Sequence, residues 1–135
     1  MATNDFNSKI IAEFRENEGK VGAPFEGSPL LILTTKRAKS GQAREKPLMY
    51  LPDGDRMFVF ASKAGGPTNP DWYHNLVANP GASVEVGAET VSVKATVLTG
   101  EERDTIYARQ AAVYPQFAEY QAKTTRIIPV VALDR

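Results

Sequence analysis

Ala82-Ser83-Val84-Glu85-Val86-Gly87-Ala88-Glu89-Thr90-Val91-Ser92-Val93-Lys94-Ala95-Thr96-Val97-Leu98 is the stretch that decides the fold. Ala82–Val86 and Val91–Leu98 alternate apolar with polar side chains, as half-buried strands do, and Gly87-Ala88-Glu89-Thr90 has the composition of the turn between them. Upstream, Leu30–Thr35 reads as a buried strand, followed by Pro47–Leu51 and Met57–Ser62 with Pro52-Asp53-Gly54-Asp55 turning between them. Ile127–Leu133 reads as a last strand. Helices fill the gaps. Phe6, Ile10, Ile11 and Phe14 recur at helical spacing within Asp5–Glu18, and Gly19-Lys20-Val21-Gly22 ends that helix. Asn69-Pro70 opens a short helix, with Asn69 as the cap, and Asn79-Pro80-Gly81 closes it. Thr99-Gly100-Glu101-Glu102 has the form of a capping box, starting a helix to about Val113. Pro115 starts another helical piece to about Lys123.

The expected fold is mainly β (α+β): six strands in an antiparallel or mixed barrel with peripheral helices. Helices do not alternate with every strand, which argues against a doubly wound parallel sheet. The 135 residues suit one domain over 1–135, and 42% hydrophobic with 24% charged residues is ordinary for a globular protein. No apolar run approaches the roughly 18 residues of a membrane-spanning helix, and Met1–Asp5 has no signal-peptide pattern. The expected location is the cytoplasm, with peripheral membrane association left open.

The side chains carry little chemistry of their own. There is no cysteine and one histidine, His74, so no thiol chemistry and no metal site with recognisable ligand spacing is expected. An enzyme of this composition would rely on a cofactor. His74 could donate a proton near a reacting centre or be a surface residue. The charge distribution points more clearly. Lys36 to Lys46 holds five basic residues and one acid, about +4, in a chain of net charge zero. Lys39, Ser40 and Arg44, with Gly41 allowing close backbone approach, form a candidate phosphate cradle; a solvated basic turn is the alternative. Nucleic acid is a poor partner, since the net charge is zero and the aromatics are not interleaved with the patch. Gly65-Gly66-Pro67 could let a flat ring lie on the main chain or could be a plain turn. Trp72 and Leu76 fit either core or cofactor contact, and Asn75 in that apolar patch needs a partner. Tyr107, Tyr114, Phe117 and Tyr120 could wall a substrate pocket or pack amphipathically.

Leu33-Thr34-Thr35, Lys39-Ser40-Gly41-Gln42 with Arg44, Pro47-Leu48, Ala61-Ser62-Lys63, Gly65-Gly66, Asn69-Pro70-x-Trp72-Tyr73-x-Asn75-Leu76, Asn79-Pro80, Glu101-Glu102-Arg103, Tyr114-Pro115, Tyr120-Gln121 and Thr125-Arg126-x-Ile128-Pro129-Val130 stand in that order. Together they resemble the deazaflavin (coenzyme F420)-dependent nitroreductase family, over about Gly27 to Leu133. The resemblance implies a split β-barrel like that of FMN-binding reductases, with residues 1–22 a variable helix and turn. It implies a reductase passing hydride from F420 to an electron-poor small molecule such as a quinone or nitro compound. Lys39, Ser40, Arg44 and Lys63 would hold the phosphate and acidic tail. Ala61 and Ser62 would lie near the ring, and Trp72 and Asn75 would shape the site. Met49, Ser62, Tyr114, Phe117 and Tyr120 are the substrate-pocket candidates. Arg37-Ala38 stand where members commonly show Gly-Arg, Met49 where some show an aromatic, and Phe117 where some show a tyrosine. The Arg37-Ala38 departure makes FMN the runner-up cofactor, while Met49 and Phe117 bear on whether bulky nitroimidazoles are reduced. An FMN- or haem-binding protein and a non-catalytic cofactor carrier are the other functions carried forward, and relatives of this fold are often homodimers.

Overall fold

The computed structural model describes residues 5–17, 30–37, 40–54 and 56–135, without the side chains of 5–8 and 64. Its strands are β1 (Leu30–Lys36), β2 (Ala43–Met49), β3 (Leu51–Asp53), β4 (Arg56–Phe60), β5 (Gly81–Val86), β6 (Glu89–Leu98) and β7 (Val130–Asp134). Its helices are α1 (Asp5–Glu16), α2 (Asp71–Ala78), α3 (Gly100–Val113) and α4 (Gln116–Lys123), with one 3-10 turn at Lys63–Gly65. The strands form one antiparallel sheet in the order β2-β1-β5-β6-β7-β4-β3.

The two outermost strands of that order, β2 and β3, are consecutive in sequence and separated only by Tyr50. A single residue bridges so short a distance only if the sheet curls until its edges meet, so the sheet is a half-barrel. This corrects the expected count of six strands to seven. The run read as Pro47–Leu51 breaks at Tyr50 because its two halves have different partners, β2 on β1 and β3 on β4. Pro47 and Pro52 fall on these outermost strands, where a missing N–H costs no ladder bond. The β5–β6 hairpin turns on two residues, with the positive φ of 59° on Gly87, where a type II′ turn wants glycine.

Strand alternation splits the core in two. Leu31, Leu33, Met57, Val59, Val84, Val93, Val131 and Leu133 point inward and meet Trp72 and Leu76 of α2. On the outer face, Phe58, Phe60, Val130 and Ala132 pack with Ile106 and Tyr107 of α3 and Phe117 of α4. Ile10 and Phe14 of α1 cover Leu30 and Ile32, as the apolar helix face implies; the side chain of Phe6 and the turn Gly19–Gly22 lie outside the described residues. Burying such side chains contributes about 1.5–3 kcal/mol each. Arg15 at the end of α1 reaches across β1 to Glu45 of β2 and, with two bonds of 2.7 and 2.9 Å, to Glu85 of β5.

Two expected caps are not made. Thr99 is the N-cap residue of α3, in extended backbone, but its side chain caps nothing, and Glu102 lies 3.6 Å from Arg56 instead. Pro70, not Asn69, precedes α2, because the Asn69 side chain is taken by Arg126. The third and last strands also end or begin differently: β4 stops at Phe60, and β7 starts at Val130.

The bond from Arg15 holds the Glu85 carboxyl below its ordinary value of 4.5. A carboxyl depressed on folding stabilises above its unfolded pKa, and the contribution is lost as pH falls through the folded value. Wild-type stability should therefore drop more steeply below about pH 4.5 than that of Glu85→Gln. Urea unfolding across that window checks it, and parallel curves for the two proteins would contradict the assignment.

Candidate functional site

Pairing registers bring Ser40, Arg44, Ala61, Ser62 and Lys63 to one end of the half-barrel, while Met49, opposite Leu30, ends β2 at the other. At the first end β1, β4 and β6 finish and β2, β5 and β7 begin. The turn between β1 and β2 closes through Gly41 N–H to Arg37 O and Arg37 N–H to Gln42 O, both 2.9 Å. Gly41 sits at φ 72°, where a side chain would strain the backbone. The Ser40 hydroxyl accepts from Gln42 N–H at 3.2 Å, which leaves its own proton to donate. Lys39 lies outside the described residues. Arg44 and Lys46 belong to β2 rather than to the turn; Arg44 pairs with Thr35 and Lys46 with Leu33.

Helix α2 docks on the same end. Asn75 finds the partner it required: its amide donates to the buried Thr35 hydroxyl at 3.2 Å. Trp72 is buried in the inner core, so it supports the site's floor from within. His74 is exposed, its ring edge-on to Tyr73.

The segment after β4 is organised by one side chain. Arg126 donates Nη1–H to Ala61 O (3.1 Å), Nη2–H to Ser62 O (2.9 Å), Nε–H to Gly66 O (3.0 Å) and Nη1–H to Asn69 Oδ1 (2.6 Å). In a trans peptide the C=O and the following N–H point oppositely. Aiming the Ala61 and Ser62 carbonyls at Arg126 therefore turns the Ser62 and Lys63 N–H groups away from it, a paired donor surface of the kind that receives negative charge. Lys63 has φ 48°, the one left-handed non-glycine among the described residues, and its ammonium donates to Thr68 Oγ1 at 3.1 Å. Gly65 is bare for a different reason than a stacked ring. A Cβ there would come within 3.0 Å of Tyr120 O and 3.1 Å of Lys123 Cβ, so α4 uses the space.

Arg126 is itself aimed by α3 and α4. Arg103 holds Ile128 O through Nε and Nη2, and Gln121 Oε1 through Nη2, while its guanidinium lies 4.5 Å from the Tyr107 ring centre. Gln121 then donates to Arg126 O and accepts from Ile128 N–H. Arg103 and Arg126 were quoted in sequence motifs without a role. Only their position before a buried strand and on a helix face hinted that they bond inward.

The pocket candidates Met49, Tyr114, Phe117 and Tyr120 all belong to the outer cluster, Phe117 touching Tyr120, while Met49 also packs against the α1 cluster. Phe117 is core: 6% exposed and edge-on to Phe60, Tyr107 and Tyr120. Tyr107 donates to Phe117 O at 2.6 Å, and burial pushes its hydroxyl up to about 12, so it does not ionise near neutrality. Met49, Tyr114 and Tyr120 are half-buried and could meet an acceptor. Ser62 lies at the Arg126-bonded loop, whose 3-10 turn packs against α4 beside Tyr120. Gln110, unremarked in the sequence, is fully buried with both amide atoms lacking a partner. No group of three or more potential metal ligands occurs among the described residues.

Comparison with known proteins follows the same line. Residues 8–135 match the family model described as F420H(2)-dependent quinone reductase. An F420H(2)-dependent quinone reductase of Mycobacterium tuberculosis is 38% identical over 130 residues, spanning 92% of this chain and 86% of the relative. A solved F420-H2 dependent reductase is 41% identical with a TM-score of 0.73, over 78% of this chain and 94% of that one. A chain solved as a domain-swapped dimer is 38% identical with a TM-score of 0.75, over 94% and 93%.

Two outcomes follow from these contacts. Arg126→Met leaves the Ala61 and Gly66 carbonyls without a donor, Ser62 O keeping its bond from Gly65 N–H, and should destabilise by about 2 kcal/mol or more, at about 1–3 kcal/mol per unsatisfied group; Arg126→Lys should recover part of this in chemical denaturation. Gln110→Met removes two unpaired buried groups at similar volume and should raise stability by about 1 kcal/mol. A fall instead would show that the amide has a partner in solution.

Proposed function

The chain belongs to the F420H(2)-dependent quinone reductase family, and on that premise we propose that it takes hydride from reduced coenzyme F420 and delivers it to a quinone, with nitro compounds as further electron-poor acceptors. The observation that carries this reading is a set of cations without acids. Among the described residues, Arg44, Lys46 and Lys63 meet no carboxylate, and Arg44 bonds only Gln42 Oε1, at 3.3 Å. Arg15, Arg56, Arg103 and Arg109 reach acids, whereas Lys94 and Lys123 also meet none among the described residues, so the gathering of Arg44, Lys46 and Lys63 at one end is what distinguishes this set. Such a donor set fits an anionic cofactor tail.

In this assignment Lys39, Ser40, Arg44 and Lys63 bind the phosphate and acidic tail. Ala61, Ser62 and the outward N–H groups of Ser62 and Lys63 face the ring, and Trp72 and Asn75 fix the wall behind it. When bound, F420 supplies a hydride at a ring carbon. The protein's work is to orient that ring and exclude water. Met49, Tyr114 and Tyr120 are assigned to acceptor binding. A quinone taking up hydride needs one further proton to become a quinol, and the hydroxyls of Tyr114 and Tyr120 are the assigned donors. Phe117 supports them as packing.

One domain over residues 1–135, read as a split barrel, is the proposed unit, and a homodimer the proposed assembly. No described helix is long and apolar enough to cross a membrane. A cytoplasmic enzyme meeting its quinone at the membrane surface fits the reading.

Fluorescence titration with F420, beside FMN, tests the cofactor. Saturable F420 binding that weakens with salt, with FMN binding more poorly, is expected. Preference for FMN, or no F420 binding, would overturn the assignment. Anaerobic turnover of a quinone with F420H2 then separates an enzyme from a carrier.

A further inference from the structure

Strand β2 carries Arg44, Glu45 and Lys46 in succession, and alternation sends them to opposite faces. Register puts Arg44 opposite Thr35 and Lys46 opposite Leu33, both partners buried; Leu33 is part of the inner core. The two cations therefore stand on the inner face, about 7 Å apart along the strand. Glu45, opposite Thr34, stands on the face that α1 covers, where Arg15 holds it at 2.5 Å. Arg15 also binds Glu85, so the acid nearest in sequence to Lys46 is both turned away and occupied.

Lys46 differs from the other cations at this end. It is partly buried, whereas Arg44 and Lys63 are exposed. It has no hydrogen bond and no ion pair among the described residues. Burial pulls its ammonium below the ordinary lysine value, the direction expected where nothing offsets lost water. A half-buried cation with no partner costs stability, and a methionine of similar reach would cost less. Its position two residues beyond Arg44, further from the Ser40–Gly41 turn, sets it deeper in the half-barrel.

Resting on the F420 reading above, we propose that Lys46 is a second cationic contact for the coenzyme's phosphodiester, deeper than Arg44, with Arg15 keeping Glu45 from competing for it. The phosphodiester fits because it is the anion nearest the ring. The carboxylates of the tail lie beyond it and keep their water. The exposed Arg44 meets the phosphodiester from its outer side, the exposed Lys63 serves the outer charges, and the partly dehydrated Lys46 meets the phosphodiester from within.

The test uses the full chain and two probes, F420 and its ribityl-deazaflavin fragment lacking phosphate and tail. Lys46→Met should weaken F420 binding by about 10–100-fold, the worth of a charge-assisted hydrogen bond. It should leave affinity for the fragment unchanged and should raise the thermal midpoint. Lys46→Arg should keep most of the F420 affinity. Unchanged F420 affinity in Lys46→Met, or an equal loss for both probes, would overturn the role of Lys46 while leaving the cofactor assignment intact. Failure of the wild-type protein to bind F420 would instead defeat the underlying reading. A circular dichroism spectrum matching wild type confirms that each variant compared is folded.

Discussion

The guanidinium of Arg126 is the constraint on which the candidate site depends. Its four bonds to Ala61, Ser62, Gly66 and Asn69 tie the segment between β4 and α2 to the approach of β7. Those carbonyls have no ladder to join, because β4 ends at Phe60. A charged donor satisfies them more strongly than a neutral one. It also sets their direction, and with it the direction of the N–H groups opposite. The left-handed Lys63 is tolerable because the peptides on both sides are held. Arg126 is held in turn by Gln121, and Gln121 by Arg103, so α3 and α4 act on the candidate site through this chain of bonds.

Strand alternation is the second constraint. On β1 it gives Leu31 and Leu33 to the inner core and Leu30 and Ile32 to α1. On β2 the same rule divides charge rather than hydrophobicity, with Arg44 and Lys46 inward and Glu45 outward. Helix α1 therefore does more than cover apolar surface. Its Arg15 neutralises two acids on its own face and leaves the cations of the other face available. Single surface pairs contribute little to stability. The consequence here is for the potential at the site rather than for the fold.

The site is built where the chain gives up stability. Among the described residues Lys46 is partly dehydrated without a partner, and Lys63 occupies a strained backbone region. Broken local rules of this kind cluster at functional sites. Gln110 also breaks a local rule, but it lies beneath the outer cluster, away from the phosphate end, and nothing on the inner face accounts for it.

Much of the architecture was legible because it rests on local physics. Period-two runs, the Gly87 hairpin, the apolar face of Ile10 and Phe14, and the helix beginning after Thr99 follow from neighbours a few residues apart. Residue order also exposed the basic cluster and the motifs that carry the family resemblance. Partner choice was not legible. Nothing around Tyr50 announces that the strand on its two sides must join opposite edges of one sheet. Thr99 and Asn69 suit caps by composition, yet distant groups decide what their neighbourhoods do: Arg56 takes Glu102, and Arg126 takes Asn69 from 57 positions away. The sequence by itself determined which segments become strands and helices and where positive charge gathers. Tertiary structure alone decided which face each charge occupies and which carbonyls Arg126 reaches, because those depend on register and curl, set by contacts between residues far apart in the chain.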